Sequence, residues 1–97
     1  MTRDPDSLRR IAADVQARLG GLPRIEGPDY ITAHARHRTA CAALAEQLRH
    51  DYGARIIDVP ASHWRVRILG LTATSTGGCA AALSNWVQAA RSRAGEP

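Results

Sequence analysis

A change of hydrophobic period between residues 54 and 70 most constrains what this chain can fold into. The segment ARIIDVPASHWRVRILG has two short runs rich in β-branched residues on either side of Pro-Ala-Ser, a composition typical of a β-hairpin. If residues 60–63 form the loop, Val59 lies opposite Trp64 and Ile57 opposite Val66. We therefore expect these four residues and Ile68 to share one apolar face.

The same register makes a prediction about the opposite face of the hairpin. It places Asp58 opposite Arg65 and Ile56 opposite Arg67, so one pair joins opposite charges across the strands. Strand alternation then forces both arginines away from the apolar face, because burial of Trp64 and Val66 turns their neighbours outward.

Helical periodicity flanks the hairpin on both sides. Pro5 suits the first position of a helix that Asp4 can cap, and Gly20 with Gly21 supplies its end. A second helix is predicted from near Tyr30 or Thr32 to about Tyr52, closed by Gly53, and a last helix from about Gly77 to Arg93. Apolar residues recur at helical spacing in each: Leu8, Ile11, Ala12, Val15 and Leu19; Tyr30, Ala33, His37, Cys41, Leu44, Leu48 and Tyr52; Cys79, Leu83, Trp86, Val87 and Ala90.

These elements predict a small α+β fold in the order α-α-β-β-(β)-α, with helices packed on one face of an antiparallel sheet. The segment LTATST after Gly70 is extended in character, and the sequence leaves open whether it prolongs the second strand or forms a third. A chain of 97 residues corresponds to one domain, residues 1–97.

Composition narrows the class of protein. All 13 basic residues are arginine, the net charge is +4, and the 2 cysteines are too few for a disulfide scaffold. The charged N-terminus lacks a signal-peptide core, and no apolar run approaches the roughly 18 residues that span a bilayer. We expect a cytoplasmic protein with reduced thiols and no membrane partner.

The junction TSTGG before the last helix has two interpretations. Ser75 or Thr76 can cap the helix while Gly77 and Gly78 let the backbone turn. A helix N-terminus after glycines can also bind an anion, but the chain has no Walker lysine and no G-x-G-x-x-G motif. The sequence favours the structural interpretation.

Metal binding and catalysis have little support in the sequence. His34, His37 and Cys41 share a helical face, but a fourth ligand at zinc-finger spacing is missing. We expect no metal and no cofactor. Cys79, near a helix N-terminus where the dipole lowers the pKa of a thiol, supports only a weaker alternative, a thiol enzyme; it also falls on the apolar stripe.

The arginines remain as the candidate functional residues. Arg65 and Arg67 should project from the sheet face, while Arg55, Arg38 and Arg49 are near in sequence but not certainly on the same surface. Arginine suits bidentate contacts with carboxylate or phosphate. A solvated face partly neutralised by Asp58 is the alternative.

The order α-β-β-(β)-α resembles that of double-stranded-RNA-binding domains, which carry phosphate-binding lysines at the start of their last helix. Here that position has Cys79, Ala80, Ala81 and Ala82. The resemblance therefore concerns topology and implies no RNA-binding residues.

The sequence thus favours a non-enzymatic binding module that acts by surface contact on a protein or nucleoprotein partner. An inhibitor from a phage or mobile element, such as an anti-CRISPR-type protein, fits this description. Direct nucleic-acid binding by arginines of the sheet face is the alternative. A homodimer that covers the sheet or an edge strand stays open.

Overall fold

Three helices and three strands follow one another in the order α-α-β-β-β-α in the computed structural model, which describes residues 5–22, 30–60 and 62–95. The elements are α1 (Pro5–Gly20), α2 (Tyr30–Tyr52), β1 (Arg55–Val59), β2 (His63–Ile68), β3 (Leu71–Ser75) and α3 (Cys79–Arg93). The strands form one antiparallel sheet in the order β1-β2-β3. The predicted α+β fold is confirmed, and residues 71–75 form a third strand.

The helices bury most of the apolar stripes that the sequence predicts. Five predicted members are half-buried: Leu19, Ala33, His37, Tyr52 and Cys79. α1 buries Leu8, Ile11, Ala12 and Val15; α2 buries Cys41, Leu44, Ala45 and Leu48; α3 buries Ala82, Leu83, Trp86, Val87 and Ala90. Each stripe spans the positions that one face of a helix presents to a core. The proposed cap Asp4 lies outside the described residues.

The register of the β1–β2 hairpin differs from the predicted one by one residue. Val59 pairs with His63 and Ile56 pairs with Val66, because the Ser62 N–H donates to the Val59 carbonyl at 3.0 Å and pairing resumes at once. The predicted pairs of Val59 with Trp64 and of Ile57 with Val66 are therefore wrong. A shift of one residue exchanges the faces of a strand, so Ile56 is buried and Ile57 is exposed.

A two-residue turn joins β2 to β3. Leu69 and Gly70 have φ angles of 52° and 74° and connect the paired residues Ile68 and Leu71. Positive φ at both central positions is the geometry whose twist matches a two-residue hairpin. Leu69 packs partly against the core, and burial of its side chain helps to offset the backbone cost of positive φ at leucine.

The sheet and α3 are fastened by hydrogen bonds as well as by apolar contact. The Trp86 indole, which is fully buried, donates from Nε1 to the Leu71 carbonyl at 3.0 Å. The Asn85 amide donates to the Thr74 carbonyl at 2.8 Å. α3 is thus fixed over β2 and β3, and the opposite face of the sheet carries no helix among the described residues.

The two ends of α1 are tied to different partners. Arg9 near its start donates to the Ala94 carbonyl at 2.7 Å, just beyond the end of α3. Near its other end, Arg18 contacts Asp14 at 3.0 Å and Asp51 of α2 at 2.8 Å. The Tyr52 hydroxyl donates to Asp14, and these four polar residues join α1 to the end of α2.

The first half of α2 extends beyond the core. Every residue in 31–40 is exposed or half-buried, whereas burial begins at Cys41. Ile31 is 83% exposed. The packed part of α2 is therefore its second half, which starts at Cys41 and carries Arg49 against β1.

Candidate functional site

The open face of the sheet brings three of the predicted arginines together. Arg55, Arg65 and Arg67 are all exposed and line one shallow cleft with Ile57 and Thr72. The cleft has a volume of about 230 Å³. Arg65 and Arg67 lie away from the helices, as strand alternation predicts; their role in binding stays a prediction.

The pairing on this face concentrates positive charge. Arg55 is the Cα partner of Arg67, and Ile57 is the partner of Arg65. The sequence had set Asp58 opposite Arg65; that pair is wrong, because Asp58 pairs with Trp64 and belongs to the helix side of the sheet. Asp58 is the only acidic residue in the three strands, so the open face has arginines and no strand carboxylate.

No ion pair or hydrogen bond links the three arginine side chains to any other residue in the part of the chain that the structure describes. Elsewhere in the same part, arginines do have partners: Arg18 has two carboxylates and Arg9 has Asp6 at 2.9 Å. Like charges placed directly opposite each other in a sheet destabilise it. The guanidinium groups of the open face are therefore available to an anion from outside the chain.

The third strand adds polar groups that the sequence did not assign to this surface. Thr72 pairs with Arg67 and Thr74 pairs with Arg65, and both threonines are exposed. Their hydroxyls supply donors and acceptors beside the arginines. The open face therefore combines cationic, hydroxyl and apolar groups, and Ile57, 42% exposed, lies within it.

The other two predicted arginines lie elsewhere. Arg38 and Arg49 both line a larger cavity of about 360 Å³ on the helix side of the sheet. Arg49 forms an ion pair with Glu46 and donates from Nη2 to the Ile56 carbonyl at 2.6 Å, so it ties α2 to β1. Arg38 donates to His34 Nδ1 at 3.3 Å within the projecting half of α2.

The junction before α3 is built without a hydroxyl cap. Gly78 occupies the N-cap position with φ 106° and ψ −178°, and no side chain bonds to the first turn of the helix. The Ser75 hydroxyl instead accepts a hydrogen bond from the Gly77 N–H at 2.9 Å. The predicted cap by Ser75 or Thr76 is wrong, because β3 continues to Ser75 and the helix starts only at Cys79.

The larger cavity brings the two cysteines together. Cys41 of α2 and Cys79 of α3 both line it, beside Trp64 and the glycines of the junction. A hydrogen bond from the Cys79 thiol lowers the pKa of Cys41. The same bond, together with burial, raises the pKa of Cys79. The expected lowering of the Cys79 pKa by the helix dipole is therefore outweighed by its thiol neighbour.

The histidines of α2 reach this cavity too, because His34 and His37 line its outer part. Within the ranges that the structure describes, no three His, Cys, Asp or Glu side chains come together in a way that could hold a metal ion.

Among the described residues, no helix has the length and apolar character that crossing a membrane requires.

The sequence predicted that Arg65 and Arg67 project away from the helices, but it did not predict two other features of the fold. The cross-strand contact of Arg55 with Arg67 depends on a one-residue choice of register that alternation alone leaves open. The thiol pair was missed because Cys41 and Cys79 lie 38 residues apart. Their positions on the apolar stripes of two helices were the only signal that they could meet.

Comparison of the chain with protein-family models, with curated proteins and with solved structures found no match.

Proposed function

We propose that this chain is a non-enzymatic binding module whose open sheet face docks on an acidic surface of a protein, free or within a nucleoprotein assembly. The observation that carries the proposal is the cluster of Arg55, Arg65 and Arg67 on a face without a strand carboxylate. Repulsion among these arginines lowers the stability of the free chain, and an anionic partner offsets that repulsion.

The exposed Ile57 favours a protein partner over bare nucleic acid. Ile57 lines the cleft together with the three arginines, so an exposed apolar side chain lies among charged ones. Protein interfaces have this arrangement, with an apolar core, a polar rim and an enrichment in arginine. Surfaces that bind nucleic acid are more polar and more uniformly basic.

The scarcity of aromatic residues on the open face supports the same choice. The residues on this side of the strands are Arg55, Ile57, Val59, His63, Arg65, Arg67, Thr72 and Thr74. Trp64 lies on the other side, in the cavity against α2. Single-stranded nucleic acid is typically held by bases stacked on aromatic rings, and His63 is the one such ring among the described residues of this face.

A homodimer that buries the open face is disfavoured by its charge. Two copies of this surface would bring two arginine clusters together without carboxylates between them. A homodimer through an edge strand, β1 or β3, remains compatible with the sheet order.

A catalytic role for Cys79 has less support than binding. Its pKa is raised by Cys41 and by burial, so the thiol form is stabilised over the nucleophilic thiolate. No hydrogen bond from a histidine to Cys79 is present in the described ranges.

The partner class is tested by affinity capture from the source organism, with and without nuclease, using wild type and Arg67→Glu as baits. We expect a protein that survives nuclease treatment and is lost with Arg67→Glu. Identification of that protein would also decide whether the module is an inhibitor, including the phage or mobile-element class. Capture that disappears with nuclease would contradict a direct protein contact.

A salt titration with a defined duplex and a defined single strand tests the alternative. Direct phosphate contact gives an affinity that falls steeply with salt. We expect no saturable binding at physiological salt. Tight, salt-dependent binding that Arg67→Glu abolishes would replace the proposal with direct nucleic-acid recognition.

A further inference from the structure

The second surface that the chain offers is the cavity with its two thiols, and the proposed docking face makes no use of it. Cys41 lies at the start of the packed half of α2, and Cys79 is the first residue of α3. Both line the cavity of about 360 Å³. They come from separate elements and meet through the fold.

The two thiols differ in exposure, although they share one cavity. Cys41 is 3% exposed and belongs to the core, whereas Cys79 is half-buried and packs against that core from its edge. Each thiol shifts the pKa of the other, which lowers that of Cys41 and raises that of Cys79. Their access to the cavity gives a small reagent a route to the pair, which a thiol enclosed on all sides would not have.

We propose that Cys41 and Cys79 are a reversible redox pair that closes to an intramolecular disulfide by exchange with a low-molecular-weight disulfide such as oxidised glutathione. The positions carry this inference: two free thiols from different helices line the same cavity. A disulfide between them forms within one chain and requires no second protein molecule.

The exchange balances in two steps. One cysteine of the pair loses its proton to solvent, and its thiolate attacks a sulfur of the small disulfide. The small S–S bond breaks, a mixed disulfide forms, and the first small thiolate leaves and takes up a proton. The second cysteine then loses its proton, attacks the protein sulfur of the mixed disulfide and expels the other small thiolate. Two protein thiols are oxidised, and one small disulfide is reduced to two small thiols.

The hydrogen bond supports the first step. The Cys79 thiol stabilises a thiolate on Cys41 and lowers the pKa of Cys41. Only a thiolate attacks a disulfide, so a contact that favours one thiolate of the pair favours the exchange. A neighbouring thiol is also what resolves a mixed disulfide before it accumulates.

Closure would fasten α2 to α3 at a place where α2 has just left the core. The half of α2 that precedes Cys41 buries no residue in 31–40, so the disulfide would hold the helix at the boundary of its packed part. A cross-link between residues 38 positions apart restricts the unfolded chain strongly. We expect the oxidised form to melt at least about 5 °C above the reduced form.

The test is equilibration of the folded, purified chain in glutathione buffers of rising oxidised fraction, followed by alkylation and intact mass measurement. Sampling continues until the thiol count is constant. We expect both thiols to disappear in one step, the mass to fall by two hydrogens, no disulfide to form between chains and dithiothreitol to restore both thiols. The single variants Cys41→Ser and Cys79→Ser should instead retain one bound glutathione.

Four results would overturn the inference. The first three are persistent free thiols in the wild type at the most oxidising buffer, a wild-type mixed disulfide that does not resolve, and cross-linked dimers in place of the internal bond. A disulfide that forms only after denaturation would do so as well, because the folded chain would then not bring the sulfurs within reach. If a serine variant fails to fold, the wild-type measurement alone still decides.

Discussion

Arg55 and Arg67 are directly opposite each other in the β1–β2 ladder, on the face of the sheet that carries no helix among the described residues. Arg65 lies on the same face, and the only strand carboxylate, Asp58, is on the other. The sheet therefore holds like charges side by side without internal neutralisation, and this arrangement is the basis of the proposed docking surface.

Because Arg67 lies opposite Arg55, we expect Arg67 to favour partner binding while it lowers the stability of the free chain. Arg67→Thr removes one of two like charges and introduces a residue favoured in strands, so we expect the free energy of unfolding to rise by about 0.2–1 kcal/mol. Chemical denaturation at low salt measures it. Because the repulsion is screened by salt, the gain should shrink at high ionic strength. A loss of stability at both salt concentrations would mean that Arg67 makes a stabilising contact within the chain.

The core prediction concerns Leu83. Its side chain is fully buried with Trp86, Val66 and Ile68. Leu83→Ala should lower the free energy of unfolding by about 2–5 kcal/mol, the range for truncation of a buried leucine. Urea denaturation gives the value, with Gln88→Ala on the exposed side of α3 as the control. A cost below about 0.5 kcal/mol would be incompatible with this packing of α3.

The junction before α3 should depend on Gly78 more than on its hydroxyls. Gly78 has φ 106° and ψ −178°, a region open almost only to glycine, and an added Cβ would meet no atom within 4 Å. Gly78→Ala should therefore cost about 1–3 kcal/mol through backbone strain alone. Thermal denaturation of the variant measures that cost.

Two variants of the same junction serve as comparisons. Ser75→Ala removes one exposed hydrogen bond, to the Gly77 N–H, and should cost about 1 kcal/mol or less. Thr76→Ala should be close to neutral, because Thr76 is exposed and does not cap α3. A larger loss for Thr76→Ala than for Gly78→Ala would contradict the assignment of Gly78 as the N-cap.

The polar group between α1 and α2 predicts a loss of stability in acid. Hydrogen bonds from Arg18 and Tyr52 lower the pKa of Asp14, and contacts with His50 and Arg18 lower the pKa of Asp51. The unfolded chain therefore binds protons more readily than the folded one. The stabilising contribution is complete above the unfolded pKa of about 4 and is lost as pH falls through the lower folded values.

Melting temperature measured across pH tests this contribution. Asp14→Asn should flatten the fall of melting temperature below about pH 4, because the titrating carboxylate is gone. Asp58→Asn removes an exposed strand carboxylate that is not part of this group and is the comparison of equal charge change. If both variants follow the same curve as the wild type, the contacts of Asp14 do not contribute to acid sensitivity.

The helices could be predicted from the sequence because the packed part of each presents an apolar stripe. Leu44, Leu48, Leu83 and Trp86 recur at helical spacing, and all four are buried. In the sequence, Gly53 marked the end of α2, and in the structure it has a φ of 63°. These signals lie within each helix, so they can be recognised without knowing which element packs against it.

Two features of the fold could not be predicted from the sequence. One depends on a one-residue shift in strand register, and the other depends on residues that are distant in the chain. Ile56 and Ile57 are both isoleucine, so composition alone could not decide which is buried; the turn at Val59–Ser62 decided it. The meeting of Cys41 with Cys79 follows from how α2 and α3 approach each other, which no pattern within either helix specifies.

The most direct test of the docking surface is the dissociation constant of the captured protein for three forms of the chain, measured by calorimetry. Arg67→Glu places a carboxylate opposite Arg55 and should leave the fold intact. Arg36→Glu makes the same charge change at an exposed position of α2, away from the sheet. We expect Arg67→Glu to weaken binding at least about tenfold and Arg36→Glu to leave it within about twofold of the wild type. Equal affinity of Arg67→Glu and the wild type would contradict docking through the open sheet face.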